Sequence, residues 1–476
     1  MGYKTIIGLE IHVELSTNTK IFCSCINEFG GEANSHCCPV CTGFPGALPV
    51  LNKNVVEYAI KAGIAFHSDI NKSTRMDRKN YFYSDLAKGY QISQDDIPIC
   101  KDGYIEIDSD GKTKKIHLER IHIEEDTGKQ IHTDSGDTLI DYNRAGVPLI
   151  EIVTKPEMNT AEEARIFLEK LRDTLKYIGV SDCKMEEGSL RCDVNINVVD
   201  LENDKRTNIS EIKNLNSFRG AVKSIEYEEN RHKDLLEKNE NTSKETRRWD
   251  DTKNETVSMR EKGMSADYRF VADGDLALIE IEEEWIENIK DNMPELPHVK
   301  KDRFIREYDL SDYDAGVLTA SKDLAKFFEE TIKHNSDVGL VSNWMMGDVL
   351  RRLNEDEIGI EDTKLTPKSL ATLISMVKDK KINNNTGKKV LREMFESGKD
   401  SQEIVKEKGL IQISDEDELK DMVSKILDEN PQSIEDYKNG KDRAVGFLVG
   451  QTMKASKGKA NPQLVNKLIG EMLRER

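Results

Sequence analysis

The chain has 476 residues, which at about 150 residues per domain predicts roughly three domains and excludes a single ordinary core. With 70 Lys+Arg against 89 Asp+Glu the net charge is −19, and 37% of the residues are hydrophobic, a composition that supports packed cores but excludes an indiscriminate DNA coat. No run approaches the roughly 18 apolar residues of a membrane span and no signal-peptide apolar stretch opens the chain, so a soluble, cytoplasmic protein with no membrane and no DNA partner is expected.

In Gly8-Leu-Glu-Ile-His-Val-Glu-Leu15, strict alternation sets Leu9, Ile11, Val13 and Leu15 on one face of a strand and Glu10, His12 and Glu14 on the other. Such a face is either the wet side of a half-buried strand or part of a site. The eight cysteines do not form a disulfide framework: five lie between Cys23 and Cys41, and Cys100, Cys183 and Cys192 are isolated. Cys23-x-Cys25 and Cys38-x-x-Cys41 have the spacing of a closed, structural tetrahedral zinc site. Cys37 is then spare or a substitute for Cys38, and reduced, unliganded thiols are the competing reading.

Arg78-Lys-Asn-Tyr-Phe-Tyr83, followed by Lys88-Gly-Tyr-Gln-Ile-Ser-Gln94, interleaves cations with aromatics, as in segments that stack RNA bases and neutralise phosphates. A strand with core-facing aromatics has the same pattern. Ile121-His-Ile-Glu-Glu-Asp126 ends a strand on three acids. Glu151 stands alone in the apolar run Val147-Pro-Leu-Ile-Glu-Ile-Val153, where a carboxylate requires an ion pair or a metal.

A helix is predicted at about 161–178: Thr160 and Glu163 form a capping box, Ala164, Leu168, Leu171, Leu175 and Ile178 repeat at helical spacing, and Gly179 ends it. Leu190-Arg-Cys-Asp-Val-Asn-Ile-Asn-Val198 alternates again, with Arg191, Asp193, Asn195 and Asn197 on its polar face. If these strands share a sheet, their hard oxygen donors and one imidazole suit Mg2+ or Mn2+, the ions used with ATP phosphates. No Gly-x-x-x-x-Gly-Lys-Ser/Thr occurs, so any ATP is held without a P-loop.

The strongly charged stretch from about 221 to 264 predicts a solvated helix followed by an exposed hairpin or loop. Pro294-Glu-Leu-Pro297 marks a break. Beyond it the pattern is helical, with one domain over 295–400 and a second over 401–476. Between Lys441 and Lys467, Lys441, Arg443, Lys454, Lys457, Lys459 and Lys467 face a single acid, Asp442, a local charge of +5 suited to nucleic-acid phosphates or to a solvated helix end.

Eight ordered segments are more specific than any of these clusters. They are Ile7-Gly-Leu-Glu-Ile-His-Val-Glu-Leu15, Pro45-Gly-Ala-Leu-Pro-Val-Leu-Asn52, Arg78-Lys-Asn-Tyr-Phe-Tyr83, Ile123-Glu-Glu-Asp126, Pro148-Leu-Ile-Glu-Ile-Val153, Met185-Glu-Glu-Gly-Ser-Leu-Arg-Cys-Asp193, Lys213-Asn-Leu-Asn-Ser217 and Gly446-Phe-Leu-Val-Gly-Gln-Thr-Met-Lys-Ala-Ser456. From end to end the chain resembles the GatB family, which supplies one of the three chains of GatCAB, the heterotrimeric tRNA-dependent amidotransferase. The resemblance implies an α+β protein with a mixed-sheet cradle carrying the zinc loop over 1–294, a helical domain over 295–400 and a YqeY-like tail over 401–476. It implies ATP- and Mg2+-dependent phosphorylation of the side-chain carboxylate of misacylated Glu-tRNA(Gln) or Asp-tRNA(Asn). Ammonia from glutamine, supplied by the amidase chain of a complex that the small third chain wraps, then displaces the phosphate.

By the same resemblance, Glu10, His12, Glu125 and Glu151 are the expected ligands or immediate supports of Mg2+, with Glu124 and Asp193 next. Arg78, Lys79, Tyr81 and Tyr83 are expected at the aminoacyl end or the nucleotide phosphates. Cys23, Cys25, Cys38 and Cys41 are expected on zinc, and Lys441, Arg443, Lys454, Lys457 and Lys459 on tRNA. One segment departs from the family: after Asp267-Tyr-Arg-Phe270 a Pro-rich acidic stretch is usual, whereas Val271-Ala-Asp-Gly-Asp-Leu276 has no proline, and a more flexible loop is expected. A noncatalytic zinc-containing RNA-binding protein is the alternative, and a metal-dependent nucleic-acid hydrolase a weaker third.

Overall fold

The computed structural model describes residues 2–261, 268–411, 416–438, 441, 443–456 and 459–475. They divide at the Pro294–Pro297 break into two units, Met1–Leu296 and Pro297–Arg476.

The first unit is built on an 11-stranded mixed sheet. Its middle strand, Tyr3–Glu14, runs antiparallel to Pro148–Thr154 on one side and Leu190–Asp200 on the other. Pro148–Thr154 then pairs with Lys112–Glu125. Leu190–Asp200 pairs with Ser210–Leu215, which is parallel to Glu245–Asp250. The period-two pattern explains the two faces: Ile7, Leu9, Ile11 and Val13 are buried, while Glu10, His12 and Glu14 point to the other side. Helices Lys53–Ala65, Ala161–Tyr177 and Phe218–Glu237 cover the apolar face with Val55, Ile60, Phe167, Leu171 and Ile225 among others. The second helix begins where expected, with Thr160 Oγ1 accepting from Glu163 N at 3.1 Å, and Gly179 beyond its end has a φ of 70°.

The charged stretch after residue 218 differs from its expectation. A helix and a hairpin form, but the hairpin Glu245–Asp250 with Glu255–Glu261 completes the sheet edge and is not an exposed arm: Trp249 and Thr256 are buried. The helix turns Glu228 and His232 inward, and charge is balanced there: Glu228 lies 2.6 Å from Arg231, 3.1 Å from Arg247 and 3.2 Å from His232. Sequence composition reported the charges but not that they neutralise one another.

The described part of the second unit is helical and has two apolar cores. One gathers Phe304, Phe328, Trp344, Leu370 and Leu391, and the other Leu419, Val423, Leu448, Val465 and Leu468. Ile404 and Val405, from helix Ser401–Glu407, belong to the first core, which therefore extends past residue 400. Within the helical run Val338–Asp356, the turn Met345–Val349 is π-helical. The architecture is the α+β arrangement expected, a mixed sheet followed by helices. Among the described residues no helix is long and apolar enough to cross a membrane.

Candidate metal sites on the sheet and in the cysteine loop

Antiparallel register lines up one residue from each of four neighbouring strands. His12 is opposite Arg191 on one side and Glu151 on the other, and Glu151 is opposite His122. Glu124 follows His122 by two residues and so shares its face. His12 Nε2 lies 3.2 Å from Glu124 Oε1 and 3.7 Å from Glu151 Oε2. His122 Nε2 lies 3.2 Å from Glu151 Oε2 and 3.7 Å from Glu124 Oε2. In the next row Glu10 is opposite Asp193, and with Glu211 these form a second acidic group. Ligand atoms of His12, Glu124 and Glu151 all lie within 4.8 Å of one another, as do those of Glu10, Asp193 and Glu211.

The charges in the first group balance. Burial disfavours protonation of His12 and His122, but Glu124 and Glu151 outweigh it and raise both imidazoles, His122 to about 9. Burial likewise opposes ionisation of Glu124 and Glu151, and the two imidazoles overcome it, holding Glu124 well below and Glu151 below the usual carboxylate range. Glu10 is raised, first by burial and then by the charge of Glu151. Glu14, at the end of the same face, is pushed up to about 7 by burial and Asp126. Two ionised carboxylates and an imidazole within one ligand sphere suit a hard divalent cation, Mg2+ or Mn2+, which would take the place of the protons that now balance the carboxylates.

Of the residues expected at the metal, His12, Glu124 and Glu151 come together, and Glu10 and Asp193 meet one row away. Glu125 does not join either group. Alternation turns it to the other face, where Lys88 Nζ sits 2.5 and 2.6 Å from its two carboxylate oxygens and Ile92 N donates to it at 2.8 Å. In the second group Asn195 Nδ2 donates to Glu10 at 2.8 Å, and Lys213 Nζ is 2.6 Å from Asp193 and 3.1 Å from Glu211. Sequence reasoning gave no place at these carboxylates to His122 or Glu211, and it noted Lys88 and Lys213 only as parts of longer segments, not as partners of Glu125 and Asp193. For His122 a signal existed, since it alternates with Glu124; Glu211 needed the strand pairing.

Arg78 is engaged by the segment that departs from the family. Its Nε and Nη2 lie 2.7 Å from Asp273 and 2.7 Å from Asp275, and its guanidinium stacks 4.5 Å above Tyr90. Asp273 is buried and accepts from the backbone of Asp275 and Leu276 at 2.8 and 3.1 Å, so the proline-free loop is pinned by its acids. Lys79 Nζ lies 4.8 Å over Tyr268 and 5.7 Å over Tyr81. Tyr81 donates to Gln91 at 3.3 Å, while Phe82 is 100% and Tyr83 58% exposed, so these two rings do not enter the core.

The Sγ atoms of Cys23, Cys25, Cys38 and Cys41 lie within 4.8 Å of one another. Zinc–sulfur bonds of about 2.3 Å place tetrahedral sulfurs about 3.8 Å apart, so four thiolates here fit zinc after a small contraction. Cys37 is directed away, its thiol donating to Asn34 O at 3.1 Å. Hydrogen bonding from Cys23 lowers the Cys41 thiol to about 5, while burial raises Cys25 to about 11. The ammonium of the buried Lys20 stands 3.9 Å from Cys41 Sγ.

In the tail Arg443 and Lys454 are exposed and Lys459 is half-buried. Lys441 pairs with Asp436 at 2.9 Å. Lys457 lies outside the described residues.

Comparison with known proteins places the chain in a family. The family model described as the GatB/GatE catalytic domain matches residues 5–287, and that described as the GatB domain matches 326–473. The chain is 56% identical over 472 residues to the aspartyl/glutamyl-tRNA(Asn/Gln) amidotransferase B subunit of Clostridium botulinum (strain 657 / Type Ba4), covering 99% of each chain. It is 55% identical over 473 residues to the protein of that name from Finegoldia magna, covering 99% of this chain and 100% of that one. With two family models matched over most of its residues, matching length and more than half of its residues shared, the chain belongs to the GatB family of amidotransferase B subunits.

Proposed function

We propose that this chain is the part of a glutamine-dependent amidotransferase that converts misacylated Glu-tRNA(Gln), Asp-tRNA(Asn) or both to the cognate amides, using ATP. It acts in a heterotrimer with a glutamine-hydrolysing amidase and a small third chain. The observation that carries this reading is the row of His12, Glu151 and His122 with Glu124: four buried or half-buried ionisable groups on one sheet face, an arrangement that a protein serving only to bind RNA does not need.

A carboxylate cannot be amidated directly because its leaving group would be oxide. Phosphorylation by ATP turns that oxygen into phosphate, which ammonia then displaces. His12, Glu124 and Glu151 would hold Mg2+, with His122 orienting Glu151 from behind. When bound, Mg2+ neutralises phosphoryl oxygens and aligns the transferred group. The attack of ammonia releases a proton, and Glu10, whose carboxylate is made more basic by burial and Glu151, is the group on this face best suited to accept it at its carboxylate oxygen. Lys79, Tyr81 and Tyr83 are suited to the aminoacyl end; Arg78 acts through the loop it clamps. Cys23, Cys25, Cys38 and Cys41 hold a structural zinc, and Arg443, Lys454, Lys457 and Lys459 meet tRNA phosphates, with Lys441 beside them.

The test is amide formation by the reconstituted heterotrimer on each misacylated tRNA, with and without ATP. Amide and ADP should form together. Amide appearing without ATP, or no amide on either tRNA, refutes the reading.

A further inference from the structure

Arg120 is a cation on the carboxylate-bearing face of the sheet with no acid of its own. It stands two residues before His122 on strand Lys112–Glu125 and so shares the face of His122 and Glu124. Register sets it opposite Val153, which is itself opposite Glu10, so an aliphatic residue keeps Arg120 two strand spacings from Glu10, roughly 10 Å. Glu151, opposite His122, is a diagonal neighbour at roughly 7–8 Å, a gap that a long side chain crosses. On its other side Arg120 is opposite the exposed Lys101.

Four other basic groups on this face are already paired. Arg191 Nη2 lies 2.7 Å from Asp126 and Lys213 Nζ 2.6 Å from Asp193, while His12 and His122 sit between Glu124 and Glu151. Arg78, expected at phosphates, is held by Asp273 and Asp275. By contrast, Arg120 and Lys101 have no ion-pair or hydrogen-bond partner among the described residues, and the Nε of Arg120 is buried without one. Asp102, beside Lys101, is engaged by Lys155 at 3.2 Å. Like charges directly opposite each other destabilise a sheet, and a buried donor left unpaired adds a desolvation cost. A bound anion relieves both.

We propose that Arg120 binds phosphate oxygens of ATP beside the Mg2+ group, donating through its guanidinium to the phosphoryl group in transfer. This rests on the ATP-dependent function proposed above and adds to it a phosphate-binding residue. A nucleoside triphosphate carries more negative charge than one divalent cation neutralises, so fixed cations are needed next to the metal ligands. A guanidinium offers two parallel hydrogen bonds to a phosphoryl group, which an ammonium does not. The terminal phosphodiester of a tRNA presents the same oxygens with a single charge, so two unpaired cations beside a metal group favour the triphosphate. In the transfer, the substrate's side-chain carboxylate oxygen bonds to the γ-phosphorus while the bond from that phosphorus to the β–γ bridging oxygen breaks. The bridging oxygen keeps the electron pair and leaves as part of ADP, and no proton moves.

The test measures, by calorimetry, binding of a non-hydrolysable ATP analogue with Mg2+ to the heterotrimer, comparing wild type with Arg120→Lys and Arg120→Ala. Analogue binding should weaken about 10–100-fold in Arg120→Ala and less in Arg120→Lys, with tRNA affinity unchanged. Added guanidinium ion should restore part of the amide formation lost by Arg120→Ala, a recovery that a residue serving only the fold would not show. Lys112→Gln, an exposed cation at the far end of the same strand, should bind the analogue as wild type does. An equal loss in Lys112→Gln overturns the proposal, as does a lowered urea midpoint in Arg120→Ala without guanidinium rescue. Weakened tRNA binding with analogue binding intact also overturns it and assigns Arg120 to an RNA phosphate. A wild-type complex that binds no analogue would refute the ATP-dependent function itself, whereas equal binding by wild type and Arg120→Ala would refute only the role of Arg120.

Discussion

His122 Nε2 stands 3.2 Å from Glu151 Oε2, reaching from the neighbouring strand a carboxylate that His12 also faces from the opposite neighbour at 3.7 Å. Glu151 is therefore shared by two imidazoles. That of His122, with 3% of its side chain exposed, is too deep to meet a substrate and is suited to orient the carboxylate it shares with His12.

His122→Gln should keep the fold and weaken Mg2+ binding by about 10–100-fold, the usual effect of losing an outer hydrogen-bond partner. The measurement is the Mg2+ dependence of amide formation. A half-saturating concentration equal to that of wild type would remove His122 from the site.

Glu124 and Glu125 are adjacent but should fail differently. Glu124→Gln removes a proposed Mg2+ ligand, so amide formation should fall by roughly a hundredfold or more while glutamine hydrolysis by the complex continues. Glu125→Gln instead leaves the ammonium of Lys88, 15% exposed, without its carboxylate, and should cost about 3–5 kcal/mol in urea denaturation. Equal stability of Glu125→Gln and wild type would mean that this ion pair is replaceable by solvent.

Zinc content separates the neighbouring thiols. Cys38→Ser should lose the metal, measured by mass spectrometry of the purified protein, and Cys37→Ser should keep one zinc per chain, because only the Cys38 sulfur lies with the other three. Retention of zinc by Cys38→Ser would reassign the ligand.

Acid should loosen the sheet edge through Glu228. Burial raises its carboxyl, but His232 and Arg231 override this and bring it down to about 2. Its folded value is below the ordinary one of about 4.5, so its contribution is complete above pH 4.5 and is lost as pH falls toward 2. Glu228→Gln should flatten that part of the stability-pH curve, and it should cost about 1–3 kcal/mol at neutral pH, because Arg231 and Arg247 lose one carboxylate but keep Glu245 at 2.9 Å each. An unchanged acid slope in the variant would assign the loss to other carboxylates.

What the sequence determined on its own was local: the alternation of Tyr3–Glu14, the cap at Thr160, the break before Pro297 and the eight ordered segments that mark the family. These depend on neighbours a few residues apart, whose geometry the backbone period sets. Which acids meet was decided by the tertiary structure. Register across four strands selected Glu124 over Glu125 and added His122, because a single residue of offset reverses the face of the sheet. The same holds for Arg78, engaged by two acids nearly two hundred positions away, and for Glu228, whose burial depends on arginines that composition counts only as charge. Net charge describes the whole chain, whereas a site is made by the few groups that folding brings within hydrogen-bond reach.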